Sequence, residues 1–210
     1  MTPVVFLITD PRVSLATTVD VVAAAGAAIG GLLGVQLRDK SGVSLDAARA
    51  LRAATREVGA ALVVNGSIAI AEAVGADGVH FPSGALSVTE ARRALGEAAL
   101  VTASTHDDDD VRRAAAAGVS AVLVSPIFAS PGKGPPRGVS AIASAREVSA
   151  GSGVRIHALG GIAPDRVREC VRAGADGVAV IRALLDAKDP ARVARELAAP
   201  WTVAGRDDEC

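Results

Sequence analysis

The sequence predicts a single eightfold parallel β/α barrel, a (β/α)8 TIM barrel. Three observations carry that prediction. Short apolar runs and helical stretches alternate eight times along the 210 residues. The apolar runs are nearly continuous rather than alternating, as parallel strands covered by helices on both sides require. Three segments, AVGADGVHF, AAGVSAVLV and RAGADGVAV, each end a helix on glycine and launch a strand. A glycine there permits the left-handed turn that closes a helix. An open doubly wound sheet competes, but it leaves about three strand–helix units unused.

The elements follow in order. Val4–Thr9 reads as a buried strand ended by Asp10-Pro11, and Leu15–Ala28 as an alanine-rich helix closed by Gly30-Gly31. Strand two is Leu32–Arg38, and Leu45–Val58 is an amphipathic helix with Arg49, Arg52, Arg56 and Glu57 on its wet side. Ala61–Val64 is strand three, after which Ser67 caps a helix over Ile68–Val74. Gly75–Phe81 contains strand four, and a helix from Ser87 or Thr89 runs to Leu95. Leu100–Ala103 is strand five, Asp107–Ala117 helix five and Val119–Ile127 strand six. The Pro/Gly-rich loop Phe128–Gly138 precedes a helix over Val139–Val148. The last units lie in Val154–Leu185, with strand seven ending at Gly160-Gly161 and strand eight, Gly177–Ile181, running into a helix at Arg182. Residues 1–200 make one domain, and the polar tail 201–210 is expected to fray.

Composition narrows the function classes. Net charge is −1, so neither a polyanion nor an anionic membrane surface is indicated as partner. Aromatic residues are 2% of the chain, which excludes a stacking platform for nucleic acid. Two cysteines, Cys170 and Cys210, make no disulfide framework. The N-terminal segment lacks a basic leader, and no apolar run is expected to reach membrane-spanning length. A cytoplasmic enzyme is the expectation.

In this fold the active face is the C-terminal end of the strands. The polar residues there are Gln36, Arg38 and Lys40 after strand two, Asn65 after strand three, His80 in strand four and Ser104 with His106 after strand five. Ser130, Lys133 and Arg137 follow strand six, and His157 lies in strand seven. Alone, Arg38 and Lys40 would read as charges ending a strand in water. Three cations (Arg38, Lys40, Lys133) on one face, beside the glycine turn Gly160-Gly161 and the Ile181–Arg182 junction, point to a substrate with two or more phosphates. Loop 125–138 has the glycines and prolines of a clamp. Asp107–Asp110 reads as a helix cap with first-turn charges, because consecutive helix positions diverge and cannot share one metal ion. No metal ligand is assigned. Lys133 and His157 are the candidate catalytic residues. Flanked by apolar neighbours, His157 serves as acid/base only if its ring points into the cavity.

Taken in order, FLITD, VQLRDK, VVNGSIAIAEAVGADGVHFPSG, STHD, VLVSPIFASPGKGPPRG, LGGI and GADGVAVI resemble the thiamine-phosphate synthase and thiazole tautomerase superfamily, from about Val4 to about Leu197. The resemblance implies a barrel that joins an aminopyrimidine diphosphate to a thiazole phosphate, or that shifts a proton on the thiazole. It implies that Arg38, Lys40, Asn65 and Lys133 hold the diphosphate; Gln36 and His80, from their strand positions alone, are counted with the substrate-binding residues. Ser104 falls near the aminopyrimidine and pyrophosphate, and Ser130 on the loop over the thiazole. By the same resemblance, Gly160, Gly161, Ile181 and Arg182 are expected to cradle the thiazole phosphate, with Arg182 replacing a common Ser. A homodimer is the family's tendency.

Four positions depart from the pattern. Gly66 and Ala85 stand where synthases place the acids that hold Mg²⁺, and Gly132 stands where they have Thr. Pro126 stands where tautomerases have their strand-six histidine. The stretch HFPSG is nearer the tautomerase branch. The expectation is therefore a divergent tautomerase-like barrel binding a thiazole phosphate or similar phosphorylated heterocycle. The alternatives are a synthase whose Mg²⁺ is recruited by other acids such as Asp39, and a non-catalytic phosphate-ligand sensor.

Overall fold

The computed structural model describes residues 2–82, 84, 86–130, 132 and 134–202. Eight parallel strands close into a barrel in sequence order. They are β1 (Val5–Ile8), β2 (Leu33–Leu37), β3 (Ala61–Asn65), β4 (Gly78–Phe81), β5 (Leu100–Thr105), β6 (Ala121–Val124), β7 (Arg155–Leu159) and β8 (Gly177–Val180). The helices around them are α1 (Leu15–Ile29), α2 (Leu45–Glu57), α3 (Ile68–Val74), α4 (Val88–Leu95), α5 (Asp108–Ala116), α6 (Ser140–Val148), α7 (Val167–Arg172), α8 (Arg182–Leu185) and α9 (Pro190–Ala198). The final helix is thus split, with Asp189 capping α9 through the Arg192 N–H at 2.9 Å. β6 is shorter than its apolar run, although Ile127 N–H still bonds the Leu159 carbonyl at 2.9 Å.

One apolar layer lies between strands and helices, and a smaller one fills the barrel. Side chains of one parity point inward, as the strand period of two requires. At the N-terminal end, Phe6 and His157 meet edge to face with centroids 5.2 Å apart. Gly34 and Gly177 make room for them, since a Cβ at either would strike the Phe6 or the His157 ring. Val63, Leu100, Leu123 and Ala179 fill the middle. The polar inward residues come last, at the C-terminal end of the strands.

Two expectations change. The stretch Leu15–Leu32 is long and apolar enough to cross a membrane by length and composition, contrary to the sequence expectation. Here it runs from α1 into a short 3-10 turn and packs against α9 and α2, burying Val21, Val22 and Ala25. Trp201, expected in a frayed tail, ends a 3-10 turn and packs partly buried on the core. Residues 203–210 lie outside the described part.

Candidate active site

A cavity of about 710 Å³ opens at the C-terminal end of the barrel. The fold brings most of the expected residues to it. Gln36, Arg38, Asn65, His80 and Ser104 line one side, and Ser130, Gly160, Gly161, Ile181 and Arg182 the other. Gln36 is the last inward residue of β2, buried, with its amide Nε2 unpartnered. A buried amide donor without a partner is costly in an empty site and is satisfied by an acceptor on a ligand. Arg38 is anchored at its root, because its N–H donates to Thr9 Oγ1 at 2.9 Å and Thr9 Oγ1 donates back to its carbonyl at 3.2 Å.

Gly160 and Gly161 have φ of +105° and +63°. Those values alone favour glycine, and the neighbours reinforce the choice. A Cβ on Gly160 would meet Pro126, and one on Gly161 would meet Phe128 and the Ala129 carbonyl. The glycines therefore let the loop after β6 lie directly on the β7–α7 turn. Phe128 N–H bonds the Gly160 carbonyl at 2.9 Å, and the Arg166 guanidinium sits 4.6 Å over the Phe128 ring. Ser130 is held by its hydroxyl on the Phe128 carbonyl at 3.3 Å.

His80 is fully buried between two hydroxyls, with Nδ1 2.9 Å from Thr102 Oγ1 and Nε2 2.9 Å from Ser104 Oγ. Burial, aided by the Arg38 charge, pushes its pKa down to about 3. It is neutral near pH 7, and both ring nitrogens are already engaged. His80 lines the cavity, as expected, with both ring nitrogens turned to Thr102 and Ser104.

The expected catalytic role of His157 is corrected. Its ring is on the barrel floor, two residues below Leu159, which is the β7 side chain that lines the cavity. At roughly 3.3 Å of rise per residue that is about 7 Å too deep. Its Nε2 donates to the Pro3 carbonyl at 2.8 Å, Phe6 covers one side, and burial lowers its pKa to about 4. Lys40 is corrected as well. It sits exposed in a turn beyond Arg38 and does not line the cavity. Lys133 and Ala85 lie outside the described residues. His106 is taken up at the α5 entry, its N–H on Asp110 at 2.8 Å and its ring 3.2 Å from the Ser125 carbonyl. The four aspartates around it divide as a cap and first-turn charges do. Asp107 caps α5, Asp108 accepts from Ser144, and Asp109 and Asp110 pair with Arg112 and Arg113.

Two charged cavity residues escaped the sequence reading, Asp10 and Arg12. The signal was present, since they end strand one as Arg38 ends strand two. Arg12 Nε donates to Asp10 Oδ1 at 3.0 Å, and Nη2 to Oδ2 at 2.5 Å. These hydrogen bonds hold the Asp10 carboxyl down at about 2.

The thiamine monophosphate synthase family model matches residues 5–184. The chain belongs to that family. It is 42% identical over 182 residues to the thiamine-phosphate synthase of Chromobacterium violaceum, covering 83% of this chain and 86% of the relative. It is 37% identical over 201 residues to that of Halorhodospira halophila, covering 94% and 93%. The solved thiamine phosphate pyrophosphorylase from Pyrococcus furiosus superposes with a TM-score of 0.75 over 93% of each chain at 24% identity, a likeness of fold. The tautomerase-like expectation finds no support among these relatives, which favour the synthase alternative.

Synthases of this family generally use Mg²⁺. The donor set here does not fit it. Mg²⁺ is ordinarily held by one or two carboxylates together with substrate phosphates. Asp10 is the one carboxylate among the described lining residues, and Arg12 occupies both its oxygens. Gly66 brings no side chain next to Asn65. Asp39 does not line the cavity, and its Oδ1 accepts from Ser41 N–H and Oγ at 2.8 and 2.6 Å, which removes the acid suggested as a substitute. Among the described residues no three His, Cys, Asp or Glu side chains form a group that could hold a metal ion.

Proposed function

We propose that this barrel joins an aminopyrimidine diphosphate to a thiazole phosphate, giving thiamine phosphate and pyrophosphate. The observation that carries the reading is the two-ended cavity. Arg38, Asn65, Gln36 and Ser104 stand on one side, and Gly160, Gly161, Ile181 and Arg182 on the other. One end suits a diphosphate-bearing ring and the other a monophosphate.

The reaction breaks the C–O bond between the pyrimidine methylene and the diphosphate, whose oxygen leaves with the electron pair. The thiazole nitrogen lone pair forms the new C–N bond. No proton has to be removed from the nucleophile, so the protein's part is positioning and charge stabilisation. Arg38 stabilises charge growing on the leaving diphosphate, Gln36 Nε2 donates to the pyrimidine edge, and Arg182 with the glycine turn holds the thiazole phosphate. A tautomerase needs a proton carrier, and the histidine lining this cavity is neutral with both nitrogens committed.

The test is incubation with both substrates and chromatographic detection of thiamine phosphate and pyrophosphate in equal amounts. Isomerisation of the thiazole phosphate alone, or binding with no product under any metal condition, overturns the reading.

A further inference from the structure

We propose that this chain grips a diphosphate with its own guanidinium groups, Arg12 and Arg38, and does so without a divalent cation. The inference takes the diphosphate as ligand class from the reaction proposed above, and otherwise stands on the geometry around Asp10.

The geometry makes Asp10 an orienting group for a cation on the chain. Its carboxylate clasps the Nε and Nη2 edge of Arg12, at 3.0 and 3.2 Å from Nε and 2.5 Å from Nη2, and also accepts the Arg12 backbone N–H at 3.0 Å. A guanidinium has five N–H donors on a rigid plane. Clasped along one edge, it keeps the Nη1 edge for a second oxyanion, in the two-pronged geometry that suits phosphate. The same clasp spends the carboxylate a metal would need.

Arg38 stands beside this pair for a structural reason. β1 and β2 are neighbours in register, with Ile8 opposite Gln36. Thr9 Oγ1 ties the root of Arg38 to the residue before Asp10. Arg12 and Arg38 thus line the cavity from adjacent strand ends, and Arg182 follows β8 on the other side of β1. At the opposite flank, a Cβ at Gly66 would have nothing within 4 Å, so that position offers space and no charge. Charge neutralisation on the diphosphate therefore falls to arginines rather than to a bridging ion.

The test is calorimetric titration of the whole chain with inorganic pyrophosphate, once in EDTA and once in excess Mg²⁺. Binding in EDTA is expected to be at least as tight as in Mg²⁺, since free metal competes for the ligand. Arg12→Ala and Arg38→Ala are each expected to weaken it about tenfold, and Arg12→Lys to recover part, because one ammonium cannot fork. The Arg12 side chain is 81% exposed, so its replacement is expected to leave the fold intact. Asp10→Asn, which frees the guanidinium, is expected to weaken binding in the same direction. Binding that needs Mg²⁺, absent binding in both media, or binding indifferent to Arg12 overturns the proposal. The coupling assay run in parallel separates the two claims. Product formed only with Mg²⁺ keeps the synthase reading and sinks this one. Pyrophosphate binding in EDTA without product in any medium keeps this one and sinks the synthase reading.

Discussion

The Nε2 of His80 lies 2.9 Å from Ser104 Oγ, and this contact sets what the hydroxyl presents to the cavity. A neutral imidazole carries one N–H. If it is on Nε2, it donates to Ser104 and leaves the Ser104 O–H aimed outward, while the Thr102 hydroxyl donates to Nδ1. Ser104→Ala is expected to lower kcat/KM about tenfold, the worth of one hydrogen bond to a charged group, and to cost about 1–3 kcal/mol of stability through the His80 N–H it leaves unpaired. His80→Ala strands two hydroxyls and opens a void, for a loss of about 2–4 kcal/mol in denaturant unfolding. Wild-type kinetics in Ser104→Ala would remove the serine from the site.

Stability should fall as the pH drops below neutrality. His80 and His157 have folded pKa values lowered to about 3 and about 4, against 6.5 for the free side chain. Below pH 6.5 the unfolded chain binds protons that the folded chain refuses. The stability is fully present above 6.5 and is lost as pH falls towards the folded values. Each histidine contributes about 1.4 kcal/mol per pH unit in that window. Asp10 acts the same way only below 3.8. Melting at pH 7 and pH 5 tests this, with His157→Gln expected to reduce the difference between the two Tm values. An unchanged difference would contradict the assignment.

Gly177 is expected to resist substitution. A Cβ there strikes the His157 ring and crowds the Val4 carbonyl. Gly177→Ala should cost about 1–3 kcal/mol by overpacking. Part of that cost should vanish in the double variant with His157→Ala, since one of the two clashes is removed. A strictly additive double-mutant cycle would show that the two residues are not coupled.

Gly161 links stability to substrate affinity. At φ +63°, with Phe128 and the Ala129 carbonyl against it, Gly161→Ala strains the backbone and lifts the loop that carries Ser130. A stability loss of about 1–3 kcal/mol is expected, with a raised KM for the thiazole phosphate and a smaller change in that for the diphosphate. Equal effects on both KM values would count against a one-sided role for the loop.

The number of strands, their order and the glycine turns that join them were legible in the sequence, because parallel strands under helices leave continuous apolar runs and glycine marks the turns. The membership of the cavity was largely legible too, since residues at the C-terminal ends of strands share one face. What the linear pattern could not settle is depth and direction along a strand. His157 and His80 are both strand histidines, yet Pro3 and Gly177 hold the first on the floor, while Thr102 and Ser104 hold the second in the cavity wall. Nor does sequence spacing reveal that Asp10 is already spent on Arg12. Whether a carboxylate orients a guanidinium or stands open to a metal depends on where two side chains end in space, and only the closed barrel decides that.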